Sequence, residues 1–367
     1  MLRFLTAGES HGKSLVAIIE GLPAGLNIDV EEINRELKKR QLGYGRSKRM
    51  EIEEDKVEII SGVRGGITLG TPITLIIENK DWVNWESIMG VTKEVLSLSL
   101  CKERELICPR PGHADLAGGI KYNQTDLRNV LERASARETA VRTAVGVIAK
   151  LLLKEFGISI TSQVLQIGKE RDEKKFKQEI DKAKKEGDSL GGIFEIRVNN
   201  PPIGLGSFVH WDKRLDGNLA RGLMSIPAIK GIEIGIGFKG ANLPGSQVHD
   251  EIFYSSSQGF YRKTNWAGGL EGGVTNGEPI IVRCAMKPIP TLKRGLRSIN
   301  IKTKGPSIAS YERSDICAVF SAALIGEAVV AIELTRSLQE KFGGDSLEEM
   351  KQNYKNYQKM IKLKWNI

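Results

Sequence analysis

Two of the four histidines in this 367-residue chain stand on short, glycine-flanked segments. His11 lies in Gly8-Glu9-Ser10-His11-Gly12, and His113 in Arg110-Pro111-Gly112-His113-Ala114-Asp115. An imidazole on a tight turn can meet a ligand closely, and its charge change near neutrality suits it to proton transfer. Metal ligation is the rival chemistry, but neither histidine has a second His or Cys at ligand spacing, so no metal is indicated. A structural histidine bonded to backbone is the other alternative at each position. His210 and His249 sit in less distinctive text and read as surface residues.

Arginine is the second signal. Arg40, Arg46 and Arg49 bracket the Gln41-Leu42-Gly43-Tyr44-Gly45 loop, Arg110 precedes His113, and Arg133 and Arg137 stand i, i+4. That spacing predicts one shared helix face. Guanidinium forks prefer carboxylate and phosphate oxygens, so arginines on separate loops and one helix point to a polyanionic small ligand. The alternative is surface arginines paired with Glu132 and Glu138. A third cluster is C-terminal: the glycine-rich run 268–277, then Met286 to Thr291, then Arg313-Ser314-Asp315-Ile316-Cys317. Backbone with few side chains beside Lys287, Arg313 and Asp315 can wrap a phosphate and a flat ring, although a glycine-rich hairpin without a ligand would read the same way.

These groups need elements to hold them. Alternation predicts strands at Leu2 to Leu5, Ser14 to Glu20, Val57 to Ser61 and Pro72 to Glu78, and further strands at Ile158 to Val164, Gly192 to Val198, Gly231 to Phe238 and Pro279 to Ala285. Asp29 caps a predicted helix from Val30 to Arg40. One long helix is predicted from Thr125-Asp126 to Glu155 and another from Ala318 to Phe342. Both end in similar text, Lys154-Glu155-Phe156-Gly157 and Glu340-Lys341-Phe342-Gly343, which hints at two related halves. Lys169 to Glu186 reads as a charged helix with a solvated face, and the Lys-rich tail from Asp345 to Ile367 as amphipathic at best. No linker of disordered composition divides the chain, so one domain over residues 1–367 is expected.

Composition limits the partners. The formal charge is +9, with 40 glycines but only 6% aromatic residues, which disfavours a base-stacking nucleic-acid surface. No apolar run approaches the ~20 residues that span a bilayer, so no membrane is expected. The N-terminus meets Glu9 and His11 before a signal-peptide core could form, which makes cytoplasm the expected location. Four cysteines without a CxxC pair read as reduced thiols. Two nucleotide-loop look-alikes are set aside: Ala7 to Ser14 runs into a predicted strand, and Gly235 to Gly240 into Ala241-Asn242-Leu243-Pro244-Gly245, so neither opens a helix that could aim backbone N–H groups at phosphate. An ATP- or GTP-using enzyme and a non-catalytic binder of anions or RNA stay as rival readings.

Taken together, nine segments resemble the chorismate synthase family in order and over nearly the whole chain: GESHG, RQLGYGR, RPGHAD, RASARETA, GDSLGG, SIPAIKGIEIG, AGGLEGGVTNG, MKPIPT and RSDICAV. The resemblance implies an α/β (α+β) fold, a β-α-β sandwich with internal pseudo-symmetry in a single large domain, assembled as a homotetramer. It implies a 1,4-anti elimination of phosphate from 5-enolpyruvylshikimate 3-phosphate that gives chorismate and requires reduced FMN without net redox change. Catalytic roles then fall to His11, near the flavin, to His113, near the phosphate, and to Asp315 for proton management. Flavin contacts map onto Arg133, Ala134, Ser135, Ala228, Gly272, Lys287, Pro288, Ile289, Pro290, Thr291 and Arg313. Ser10, Arg40, Arg46, Arg49, Arg110 and Arg137 are left for the substrate, with Arg40 and Arg46 also positions for NADP, so a role for NADPH stays open. Pro227 stands where many relatives carry an amide, which leaves only backbone contact there. The chain lacks the inserted segments of relatives that reduce their own flavin, so an external flavin reductase is expected.

Overall fold

The computed structural model describes residues 1–46 and 53–365 of the chain; Arg49 lies outside the described residues. Period-two alternation builds two sheets of the same pattern. In the first, β1 (Arg3–Ala7), β2 (Ser14–Glu20), β3 (Val57–Ser61) and β4 (Ile73–Glu78) pair antiparallel in the order β1-β2-β4-β3. Leu15, Ala17 and Ile19 share one buried face with Ile73, Leu75 and Ile77, as a pleated strand with one covered side requires. The second sheet, β5 (Ser159–Ile167), β6 (Gly192–Asn199), β7 (Ile229–Ile234) and β8 (Ile280–Met286), pairs antiparallel in the order β5-β6-β8-β7, with Phe194, Ile196 and Val198 buried.

The helices of seven residues or more are α1 (Val30–Gln41), α2 (Asp115–Lys121), α3 (Arg128–Ala134), α4 (Thr139–Lys154), α5 (Phe176–Glu186), α6 (Leu215–Met224), α7 (Val319–Phe342) and α8 (Leu347–Trp365). With α2 and α3 set aside in the first half and α5, between β5 and β6, in the second, each half reads strand, strand, helix, strand, strand, helix: α1 and α6 fall between the second and third strands, α4 and α7 after the fourth. α4 packs on the first sheet, α7 on the second, and the two helices pack on each other, which makes the β-α-β sandwich. Most residues of both helices are buried because protein covers them on several sides. They approach tightly at Gly146, where a Cβ would stand 2.3 Å from the Ala328 Cβ. The similar helix ends have similar surroundings: Phe156 and Phe342 both pack edge-on to Tyr354 of α8, at 5.4 and 5.1 Å between ring centroids.

Several expectations need correction. The long helix from Thr125 to Glu155 is broken. Ser135 is extended (φ −65°, ψ 141°) and its hydroxyl accepts the Arg137 N–H, so α3 ends, a 3-10 turn follows over Ala136–Glu138, and α4 begins at Thr139. The segment from Lys169 begins as a turn, and helix α5 starts only at Phe176; its Lys177, Lys182, Lys184, Lys185 and Glu186 form the solvated face expected, while Phe176, Ile180 and Ala183 are buried on the other side. The strand expected to reach Phe238 stops at Ile234, since Gly235 (φ +60°) turns the chain so closely against the Trp266 carbonyl that no Cβ fits. The tail forms a true helix, α8. Neither nucleotide-loop look-alike opens a long helix: residues 8–13 are the turn from β1 to β2, and Gly237–Asn242 is a 3-10 turn. No helix among the described residues is long and apolar enough to cross a membrane.

Two long excursions matter most for the site. Each leaves the fourth strand of its sheet and returns at the helix that follows, over residues 79–138 and 287–318. They meet through backbone bonds from Ile301 to Ile107 and from Ser310 to Cys108, and over a small apolar cluster of Leu106, Leu127, Leu131 and Ile301.

Candidate active site

The β1–β2 turn carries Ser10 and His11 and is pinned to α3. The Ser10 N–H donates to the Glu132 carbonyl (2.8 Å), the His11 N–H to Glu132 Oε2 (2.7 Å), and His11 Nδ1 lies 2.9 and 3.0 Å from the two carboxylate oxygens. The imidazole stacks on Trp85 at 3.9 Å. Burial would raise the Glu132 carboxyl, but its bonds and charge pairing with His11, and the charge of Arg128, hold it below the usual carboxylate value.

Arg40 at the end of α1 and Arg137 ahead of α4 converge on one buried acid. Arg40 Nη2 donates to Asp55 Oδ2 (2.6 Å) and Arg137 Nη1 to Asp55 Oδ1 (2.5 Å). Burial again works against the ionised carboxyl, and the two guanidinium charges overcome it, keeping Asp55 low. Arg137 also reaches Glu53 and Asn79, and the Asn79 amide donates to the Glu9 and Gly12 carbonyls, tying this cluster to the His11 turn.

The third cluster joins the two excursions. Arg110 clamps Asp115 through Nε (2.8 Å) and Nη2 (3.0 Å), and its Nη1 donates to Thr291 Oγ1 (2.9 Å). His113 Nδ1 stands 2.6 Å from Asp115 Oδ1, with the Arg110 Nη2 against the ring at 3.0 and 3.4 Å from its two nitrogens. Burial would raise Asp115, but the hydrogen bonds from His113 and Arg110 and their charges hold it well below the carboxylate range. Lys287 Nζ donates to the Gly112 carbonyl and the Lys287 N–H to Ala228, a non-glycine residue at φ +69°. Burial, and then the charge of Lys230, push the Lys287 ammonium below the usual lysine value. Ser189 of GDSLGG binds the Ile289 carbonyl, and Gly191 has no room for a Cβ against Met286.

Arg46 pairs with Asp315 (2.6 Å), and the Ile316 N–H reaches the Gly45 carbonyl, so the Arg40 to Arg46 loop is fastened to the second excursion. Arg133 departs from expectation. The break at Ser135 sends it away from Arg137, and its guanidinium is spent on the Thr6 and Gly8 carbonyls and the Thr6 hydroxyl. Glu132 and Glu138 do not pair with Arg133 and Arg137 either; their arginines are Arg128 and Arg142. Arg313 and Gly272 are exposed, and no bond joins them to the clusters above. The acids Glu132, Asp115, Asp55 and Glu53, with Asn79 and Trp85, were missed as site residues. Asp115, two residues from His113, was the one with a local signal.

The chorismate synthase family profile matches residues 2–338. The chain belongs to the chorismate synthase family. It is 55% identical to a chorismate synthase of Sulfurihydrogenibium sp. (strain YO3AOP1) and 56% identical to one of Thermoanaerobacter pseudethanolicus, with 98% of this chain and 99% of each relative covered. A solved structure titled as a crystal structure of chorismate synthase superposes with a TM-score of 0.78 at 44% identity, covering 98% of both chains. Membership makes the chain a carbon–oxygen lyase of aromatic amino-acid biosynthesis in the shikimate pathway, acting on a small-molecule substrate with reduced FMN. The residues present fit such a group. Gly272 (φ +58°) is exposed, and a Cβ there would meet nothing nearer than the Phe208 Cβ at 3.8 Å, while Lys287 and Arg313 are cations of the kind a phosphate tail would need.

Proposed function

We propose that the family reaction, loss of phosphate and a C6 hydrogen from 5-enolpyruvylshikimate 3-phosphate to give chorismate, takes place between the two excursions, with His11, His113 and Asp315 at the reacting groups. The observation that carries this is the bond from Arg110 Nη1 to Thr291 Oγ1, which joins the loop expected at the substrate phosphate to the segment expected at the flavin. Arg110 and His113 receive the departing phosphate, and donors already oriented there stabilise its charge as it develops. His11 offers a proton site at Nε2, since its Nδ1 is committed to Glu132. Asp315, held by Arg46, accepts a proton at its carboxylate. Arg40 and Arg137 bind the substrate carboxylates by exchanging contacts with Asp55. Ser10 is placed for the substrate by the same turn as His11. Ala228, Gly272, Lys287 to Thr291 and Arg313 hold FMN, with Ala134 and Ser135 at its edge and Arg133 bracing strand β1 beneath. Bound reduced FMN supplies electron density to the substrate and recovers it, leaving no net redox change.

The reading extends to a homotetramer in the cytoplasm served by an external flavin reductase. Exposed Leu5, Ile18 and Ile60 on the outer face of the first sheet support assembly. The pairing of Arg46 with Asp315 supports a flavin reduced elsewhere rather than by bound NADPH. The test is anaerobic turnover with photoreduced FMN. Stoichiometric release of phosphate and chorismate is expected, NADPH with oxidised FMN should give none, and sedimentation should report four times the 40.5 kDa chain mass. Absence of phosphate release with reduced FMN overturns the reading.

A further inference from the structure

We infer that Glu132 is a positioning residue for the elimination: it fixes the tautomer of His11 and aims Nε2 at the reacting groups. The inference rests on the reading that puts His11 in the site. Three nitrogens of two consecutive residues end on Glu132, namely the Ser10 N–H on its carbonyl, the His11 N–H on Oε2, and His11 Nδ1 on both carboxylate oxygens. An ionised carboxylate only accepts, so Nδ1 must carry the proton, and Nε2 is the nitrogen left to face a ligand. The Glu132 side chain is fully buried, so water does not compete for these bonds.

The surroundings lock the same geometry. Trp85 stacks beneath the imidazole at 3.9 Å and is itself held by its indole N–H on Asp81 (3.1 Å). Arg128 Nη1 approaches Glu132 Oε1 at 3.3 Å, and its Nη2 is drawn to Glu312 of the second excursion at 2.9 Å, so Glu132 keeps its stronger bonds for His11. The guanidinium groups of Arg128 and Arg104 lie over the Trp85 ring at 5.0 and 5.3 Å. The imidazole is thus fixed along one edge and on one face, which leaves the Nε2 corner to the ligand.

A Gln at position 132 tests this, because its amide can turn its NH2 toward Nδ1 and let the proton settle on Nε2. With only four histidines in the chain, 15N imidazole spectra resolve the tautomer directly, His11→Asn identifying the signal by its loss. For Glu132→Gln the expected result is an Nε2–H population at His11, a kcat lower by roughly 10²-fold, and KM within about threefold of the parent. Glu132→Asp, which keeps the carboxylate but withdraws it, should retain the Nδ1–H signal and lose only about tenfold in kcat. Unchanged signals from the other three histidines report an intact fold; if Glu132→Gln does not fold, Glu132→Asp decides, and parental kcat in it overturns the inference. Parental kcat in Glu132→Gln, or a loss carried by KM with the Nδ1–H tautomer intact, also overturns it. His11→Asn separates the two levels: parental turnover there removes His11 from the reaction, whereas an inactive His11→Asn beside a fully active Glu132→Gln removes Glu132 alone.

Discussion

The two halves share one order of strands and helices yet contribute different chemistry. In the proposed reading the first supplies polar side chains, the imidazoles of His11 and His113 and the guanidinium groups of Arg40, Arg46, Arg110 and Arg137, with the acids Asp55, Asp115 and Glu132 bonded among them. From the second come mainly turns and backbone: Ala228 at positive φ, the open glycine at 272, and the Lys287 to Thr291 segment. Asp315 and Arg313 are the second half's charged exceptions. The lesson is that a repeated scaffold positions a site by its connections. Arg110 and His113 in one half and Lys287 to Thr291, Arg313 and Asp315 in the other lie where the sheet hands over to a helix, and the two 79–138 and 287–318 excursions differ in sequence while leaving from equivalent strands.

The comparison is broken first by removing side-chain chemistry from the first half. His11→Ala and His113→Ala should each lower kcat by roughly 10²- to 10⁴-fold in a protein that stays folded, His11→Ala with the lower thermal midpoint because it leaves the buried Glu132 carboxylate without its imidazole partner. Wild-type turnover in either variant removes that histidine from the reaction. Asp115→Asn comes next and acts on stability as well, because it leaves Arg110 buried without its full counter-charge: a loss of about 3 kcal/mol is expected in denaturant titration. The sign with pH follows from the depressed carboxyl. Asp115, and likewise Asp55 and Glu132, stabilise the fold above the unfolded carboxylate pKa of about 4, and that contribution is lost as pH falls through their lower folded values. The parent should therefore lose stability below about pH 4, and Asp115→Asn should show a shallower loss there. An identical acid profile for the two proteins would contradict the buried ion pair.

A second-half change should act on the cofactor instead. Lys287→Ala is expected to weaken FMN binding by roughly 30-fold, about 2 kcal/mol for a charge-assisted contact, with a smaller effect on kcat at saturating reduced flavin. Flavin fluorescence titration reads this directly. A kcat defect that saturating FMN does not repair would place Lys287 with the first half's chemistry and blur the division.

Much of this was legible in the sequence because strands with one covered face alternate visibly, and because motif residues fall in order along the chain. β2, β4 and α1 lie close to their expected bounds for that reason, with Asp29 capping α1 through the Glu32 N–H. The break at Ser135 was not legible: periodicity runs through it, and only a side-chain bond to Arg137 ends the helix. The same break explains why an i, i+4 reading of Arg133 and Arg137 failed. The carboxylates escaped notice for a different reason. Glu132 and Asp55 meet their partners across separations of 121 and 15 to 82 residues, and sequence spacing carries no information about pairs made by tertiary packing.

The smallest effects sharpen the comparison at the level of the scaffold, at one helical glycine from each half. In an open helix Ala is favoured over Gly by about 1 kcal/mol. At Gly146 of α4 a Cβ would lie 2.3 Å from the Ala328 Cβ and 2.5 Å from its Cα, so α4 and α7 must separate, and Gly146→Ala should cost about 2 kcal/mol despite the propensity gain. At Gly217 of α6 a Cβ would meet nothing within 4 Å, and its φ is not in the left-handed region. Gly217→Ala should therefore raise stability by about 0.5 kcal/mol, with kcat unchanged. The same chemical change, one methyl added to each helix, thus carries opposite signs because α4 is enclosed between the sheets whereas Gly217 faces open space. Thermal denaturation of the two variants side by side reads the difference; a destabilised Gly217→Ala would mean that α6 is covered at that point, and a neutral Gly146→Ala would mean that the central helix pair can part without cost.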